Sequence, residues 1–248
     1  MKAWYLGLKF AFSYFSILPI SFKNDVDLST KEVLGSMLFF FPFVGLVLGL
    51  LTVVVYSLLE PLAWYGAVIS ALVYMMLYGF LHTEAVIDVA DAIYASHSGK
   101  DAYAVIKDPT VGAMGVLWAG SFVLLKVAGI LFLLIHQLFT PFIATLIVSR
   151  LALLVLFYTQ TFKSSFASKL KDALTPKTFW SALVFFGTVG ILLTSFKFIV
   201  LLIFAFLLAL MITKFIKNKL GFVNGDVLGC TLESVEIVLF MLVSLLWV

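Results

Sequence analysis

The sequence predicts an all-α fold: a polytopic integral membrane bundle of about 6–8 membrane helices with a polar helical segment at one face. Three observations predict it. The chain of 248 residues is 63% hydrophobic and only 12% charged, with a mean hydropathy of +1.17. No water-soluble domain hides that much apolar surface. The apolar runs are long and continuous, whereas a membrane β-barrel shows short alternating segments. The single cysteine, Cys230, excludes an internal disulfide and a Cys-based metal cage. The chain reads as one membrane domain, 1–248, and its net charge of +3 gives no basis for nucleic-acid binding.

Residues 3–18 form an aromatic-rich helix carrying Lys9 and ended by Pro19. It either spans obliquely or lies in the interface. No small-residue cleavage site follows Ile20, so the segment reads as retained and not as a signal peptide. A polar loop, 20–33, carries Lys23, Asp25, Asp27, Lys31 and Glu32. The first clear span runs over 34–58 and tolerates Pro42, Gly45 and Gly49, as membrane helices do. Glu60-Pro61 turns the chain, and 62–81 spans back.

Residues 82–111 form the longest polar segment. A helix over 83–95 ends at Ser96-His97-Ser98-Gly99, a turn cluster. A shorter one, 101–107, stops at Asp108-Pro109 because a residue before proline avoids the αR region. Spans follow at 112–136 and 139–160, then a Lys-rich loop at 161–177. Further spans cover 178–195 and 198–213, and a polar loop leads to a last helix at 227–248. Alternation puts the loops 20–33, 82–111, 161–177 and 214–226 on one side. Those four carry eleven lysines and the opposite side only Lys197, so the first side is expected to be cytoplasmic.

Three constellations stand out for chemistry. In Leu81-His82-Thr83-Glu84-Ala85-Val86-Ile87-Asp88-Val89-Ala90-Asp91, the carboxylates of Glu84, Asp88 and Asp91 share one helical stripe. Two carboxylates about 6 Å apart repel by roughly 3 kcal/mol at an effective dielectric near 20. A bridging hard cation removes that conflict, and oxygen ligands at this spacing suit Mg²⁺, which leaves positions for substrate phosphates. A solvated helix face is the plainer reading, but no lysine is interleaved from 82 to 99. His82 is either a helix-end hydrogen bonder or a base or ligand.

The second constellation is Asn224-Gly225-Asp226 with Glu233 and Glu236. Only twelve residues follow Glu236, so a span of about twenty residues must contain both glutamates. Such groups normally face a cavity or a partner. Gly221, Gly225 and Gly229 mark either close helix packing or backbone approach to a ligand. The third is Lys126 with Arg150, placed at similar depth on adjacent antiparallel helices. They either neutralise the buried glutamates or, in the case of Arg150, clamp a phosphate. Lys107-Asp108 with Gly112 and Gly115 adds a loop whose lysine could meet an anion. Together these suggest phosphoryl transfer involving an amphipathic substrate, with positioning and charge neutralisation as the main work. There is no Walker loop, zinc-helix motif or Gly-x-Ser-x-Gly.

These residues resemble the adenosylcobinamide-GDP ribazoletransferase (cobalamin 5′-phosphate synthase) family. Its hallmark, His-x-(Asp/Glu)-Gly-x-x-Asp-x-x-Asp-Gly, matches 82–92, and Lys-Asp-Ser-Arg-Ile-Gly-x-x-Gly matches Lys107–Gly115. Lys126, Ser149-Arg150 and Gly225-Asp226-Val227-Leu228-Gly229 with Glu233 and Glu236 recur in order. Phe15-Ser16-Ile17-Leu18-Pro19 and Phe41-Pro42-Phe43-Val44-Gly45 are similar to the family's N-terminal elements. The departures are Ala85 and Ala92 for glycines, and Ile17 and Thr110 for arginines. They leave Lys107 and Arg150 as candidate substitutes for the lost cations, and they favour a regular helix through the stripe.

The resemblance implies an enzyme of late cobalamin biosynthesis. Adenosylcobinamide-GDP would react with α-ribazole or its 5′-phosphate, releasing GMP and forming adenosylcobalamin or its phosphate, with Mg²⁺ required. It implies that Glu84, Asp88 and Asp91 hold Mg²⁺ on the diphosphate. Asp226 would be a further ligand, and Asp226, Glu233 and Glu236 a second acidic wall. Lys107, Asp108, Arg150 and Asn224 are the other expected substrate contacts, and a carboxylate or His82 would take the attacking hydroxyl's proton. The protein is expected in the cytoplasmic (inner) membrane, surrounded by lipid and open to homo-oligomer formation. The alternatives are a membrane phosphotransferase of CDP-alcohol type and a cation transporter. The first expects an arginine soon after the Asp pair, and none follows Asp91. The second expects acidic residues near midplane on several spans.

Overall fold

The computed structural model describes residues 2–23 and 26–247. Asp25, counted above in the first polar loop, lies outside the described residues. Among the described residues the fold is eleven α-helices and no strand. Six helices are long and apolar enough to cross a membrane: α2 (Lys31–Leu59), α6 (Ala113–Ile135), α7 (Phe139–Thr159), α9 (Pro176–Thr194), α10 (Lys197–Leu220) and α11 (Gly225–Trp247). The chain is an integral membrane protein. α7 is the central span, with most of its length buried from Pro141 to Phe157. α6, α9 and α10 instead present rows of exposed Leu, Val and Phe outward, as lipid-facing helices do.

The remaining helices gather at one end. α1 (Lys2–Phe15) has 14 residues and so is about 21 Å long, short of the roughly 30 Å hydrocarbon core. It packs along the first half of α2, where the Ser36 hydroxyl donates to Trp4 O at 3.0 Å. α3 (Trp64–Leu77), reached through a 3₁₀ turn at Glu60–Leu62, starts back across the bilayer. The span expected over 62–81 then breaks. Gly79 and Phe80 both adopt positive φ, +64° and +53°, and α4 (Leu81–His97) leaves at 78° to α3. α4 therefore lies outside the six spans, across the first turns of α6 and α11. The regular helix expected through the acidic stripe is present, with Ala85 and Ala92 inside it.

The short α5 (Ala102–Lys107) is started by Asp101, whose side chain accepts from Tyr103 N at 2.9 Å. The Lys-rich loop at 161–177 is not all loop. It holds α8 (Ser165–Ala173), capped by Ser164, which buries Ala167, Leu170 and Ala173 and turns Lys169 outward, while Lys171 Nζ donates to Gln160 O. Three polar segments meet on one face: Lys163 N donates to Val223 O at 2.8 Å, and Lys163 Nζ sits 4.1 Å over Tyr103 and 5.2 Å over Phe222. That is the arrangement which alternation of the spans requires.

Candidate active site

α4 and α11 pack directly, so the two acidic motifs are neighbours. Gly229 makes this contact feasible: a Cβ there would meet Ala85 Cβ at 2.7 Å. Ahead of it, the buried Asn224 begins α11. Its Oδ1 accepts from Val227 N at 3.0 Å while its Nδ2 donates to Asp226 Oδ2 at 2.6 Å, aiming the half-buried carboxylate of Asp226. Asp88, half-buried on α4, feels this group. Its pKa is pushed up to about 6, first by burial, then by Asp226, Glu84 and Asp91, against a smaller opposing effect of Lys107. The stripe is thus short of positive charge.

Asp91 has a structural task as well. Its two oxygens accept from Gly112 N at 2.6 Å and Gly115 N at 2.7 Å, tying α4 to the free N–H groups at the start of α6. Glu84 is exposed. Among the described residues, no three His, Cys, Asp or Glu side chains form a ready metal cage. The donor set is nevertheless all hard oxygen around an under-compensated Asp88. That fits Mg²⁺, which keeps several waters and shares its ligands with phosphates.

A cavity of about 240 Å³ opens beside this cluster, and His82, Lys107, Asn224 and Asp226 lie on its wall. His82 is buried against Tyr78, ring centroids 5.6 Å apart, and among the described residues no protein group hydrogen-bonds to it. Burial pushes its pKa down to about 3, with the Arg150 and Lys126 charges adding to the effect, so the imidazole is neutral. Asp108 is not on the wall of this cavity. Its carboxylate accepts from Thr110 N at 2.9 Å and the Thr110 hydroxyl at 2.7 Å in an exposed turn.

Three sequence candidates are placed elsewhere. Arg150, Glu233 and Glu236, expected at the substrate, form with Lys126 a network in which each residue is only 1% exposed. Lys126 Nζ lies 2.6 Å from Glu233 and 2.7 Å from Glu236, and Arg150 Nη1 lies 2.7 Å from Glu236. Tyr74 and Tyr78, which the sequence reading did not single out, donate to Glu236 at 3.0 Å and Glu233 at 2.8 Å. Two cations thus balance two carboxylates inside the bundle. The network joins α3, α6, α7 and α11, and the Tyr78 hydroxyl reaches the Thr83 hydroxyl of α4 at 3.1 Å.

The family model described as cobalamin-5-phosphate synthase matches residues 7–244. The chain belongs to this family. A relative from Pseudomonas fluorescens (strain Pf0-1), named adenosylcobinamide-GDP ribazoletransferase, is 30% identical over 236 residues, covering 93% of this chain and 96% of the relative. Relatives of the same name from Chlorobium chlorochromatii (31% identical, 97% of this chain and 96% of the relative) and Brevibacillus brevis (28%, 96% and 97%) are similar along nearly their whole length. No solved structure matches the chain.

Proposed function

We propose that the protein transfers adenosylcobinamide phosphate from adenosylcobinamide-GDP to α-ribazole or its 5′-phosphate, releasing GMP. The observation that carries this is the convergence of His82, Lys107, Asn224 and Asp226 on one cavity beside the half-buried Asp88. The relatives' shared name supplies the reaction. In that reaction a ribose oxygen attacks the phosphorus next to cobinamide. A new P–O bond forms, the P–O bond to GMP breaks, and the hydroxyl proton must leave.

Glu84, Asp88 and Asp91, faced by Asp226 from α11, would hold Mg²⁺. When bound, the ion neutralises charge developing on the diphosphate, the main demand of phosphoryl transfer. Lys107, on the cavity wall, adds a cation at the diphosphate. A carboxylate of the cluster takes the hydroxyl proton. His82, neutral, donates its ring N–H to the oxygen of that hydroxyl and orients it. Asn224 fixes Asp226. Arg150, Lys126, Glu233 and Glu236 support the site without meeting substrate. The site faces the cytoplasm of the bearing cell, since the lysine-rich loops share its side.

The test is formation of GMP and adenosylcobalamin by purified protein in detergent, supplied with adenosylcobinamide-GDP, α-ribazole and Mg²⁺. Both products are expected in equal amounts. GMP release that does not depend on α-ribazole, or no release at all, would contradict the reading.

A further inference from the structure

The cavity has two unlike ends. Its polar end is the group just described. Its other wall is built by Tyr14 and Phe15 of α1, Phe41 of α2, Phe157 of α7, and Phe166 and Leu170 of α8. The aromatic rings are mutually packed: Phe15 and Phe41 lie 4.2 Å apart between centroids, and Tyr14 and Phe166 lie 5.1 Å apart. Phe15, Phe41 and Phe157 are buried, so this wall is a formed slot and not a loose surface. The His82 ring stands at the junction of the two ends, 6.3 Å from Phe15.

Size and chemistry select the occupant. At about 240 Å³ the cavity falls below the roughly 300–1,000 Å³ that takes a drug-sized ligand. A corrin macrocycle is far too large for it; a nucleoside fits. Two bases then compete, the guanine of the donor and the base of the acceptor. Guanine carries hydrogen-bonding groups along its edge that need partners once desolvated. Away from the polar end, the slot offers only the Tyr14 and Ser164 hydroxyls among its side chains. An apolar bicyclic base, such as the dimethylbenzimidazole of ribazole, needs only faces to stack on.

Resting on the function proposed above, we infer that this slot is the acceptor site. The base lies against the aromatic wall from α1, α2, α7 and α8, the ribose at His82 and Asp226, and the donor outside across Asp88. The geometry then brings the ribose hydroxyl to the metal-binding carboxylates from the membrane side. The diphosphate arrives from the polar-loop face. α8, hidden in a lysine-rich loop, becomes a specificity element for the base.

The test uses full-length Phe166→Ala and Leu170→Ala in detergent, each beside wild type, with either substrate varied at saturation of the other. The KM for α-ribazole should rise about tenfold, and that for adenosylcobinamide-GDP should change less than about twofold. A rise confined to adenosylcobinamide-GDP would overturn the assignment and give the slot to guanine, and an equal rise in both would overturn it as well. Calorimetric titration of α-ribazole without donor separates this inference from the reaction itself. Wild type should bind and Phe166→Ala should bind more weakly, whether or not GMP is ever released. No binding by wild type would also overturn the assignment.

Discussion

Lys126 Nζ lies 2.6 Å from Glu233 Oε2 in a place where each side chain is 1% exposed. The pair does not stand alone, because the same ammonium reaches Glu236 at 2.7 Å and Glu236 also holds Arg150. Removing one member leaves a buried charge without compensation, which costs about 3–5 kcal/mol. Lys126→Met and Arg150→Met should therefore lose thermal stability in detergent by a clearly measurable margin. Whatever folded protein remains should keep a near-normal KM for adenosylcobinamide-GDP. A large KM increase with unchanged melting would instead place these cations at the phosphates.

The contact between α4 and α11 depends on Gly229. Gly229→Ala puts a methyl 2.7 Å from Ala85 Cβ, so the helices must separate and carry Asp226 away from Asp88. Turnover should fall about tenfold or more, since small misplacements at a reacting centre are expensive. Ala85→Gly in the same molecule should restore most of it, a coupling that a double-mutant cycle reads directly. Additive losses would show that the two positions do not share a contact.

Asp88 and Asp91 should behave oppositely in the metal-free protein. Asp88 carries a pKa raised from 3.8 to about 6, so its ionised form destabilises the fold. That penalty is absent below about pH 4, where the carboxyl is protonated folded or unfolded, and complete above about pH 6. Asp88→Asn should raise the melting temperature in chelator at pH 7.5, and the gain should vanish towards pH 4. Asp91→Asn should lower it, because one of the two bonds to Gly112 N and Gly115 N loses its acceptor. Melting curves across pH check both signs.

The spans were legible because an unbroken apolar run of about twenty residues has few other uses. The break before α4 was written only in Gly79, since its neighbours Tyr78 and Phe80 belong equally well to a continuous span. α8 was missed because nine residues with a single buried stripe look like any lysine-rich loop. At the site, Glu84, Asp88, Asp91 and Asp226 were visible as charges in an apolar chain. Which cations belong to them was not. Lys126 and Arg150 could be set at equal depth, but only packing shows that Tyr74, Tyr78, Glu233 and Glu236 close around them. The aromatic slot was invisible for a different reason. Its rings come from α1, α2, α7 and α8, and in a chain that is 16% aromatic no one of them stands out.

The central claim is that the α4 stripe with Asp226 carries a Mg²⁺-dependent transfer. The most direct measurement is GMP release from adenosylcobinamide-GDP by wild type, Asp88→Asn and Asp226→Asn as Mg²⁺ is titrated into chelated protein. Wild type should require the ion, and both variants should lose turnover by about a hundredfold or more while remaining folded. Undiminished turnover in either folded variant, or full activity in chelator, would contradict the account.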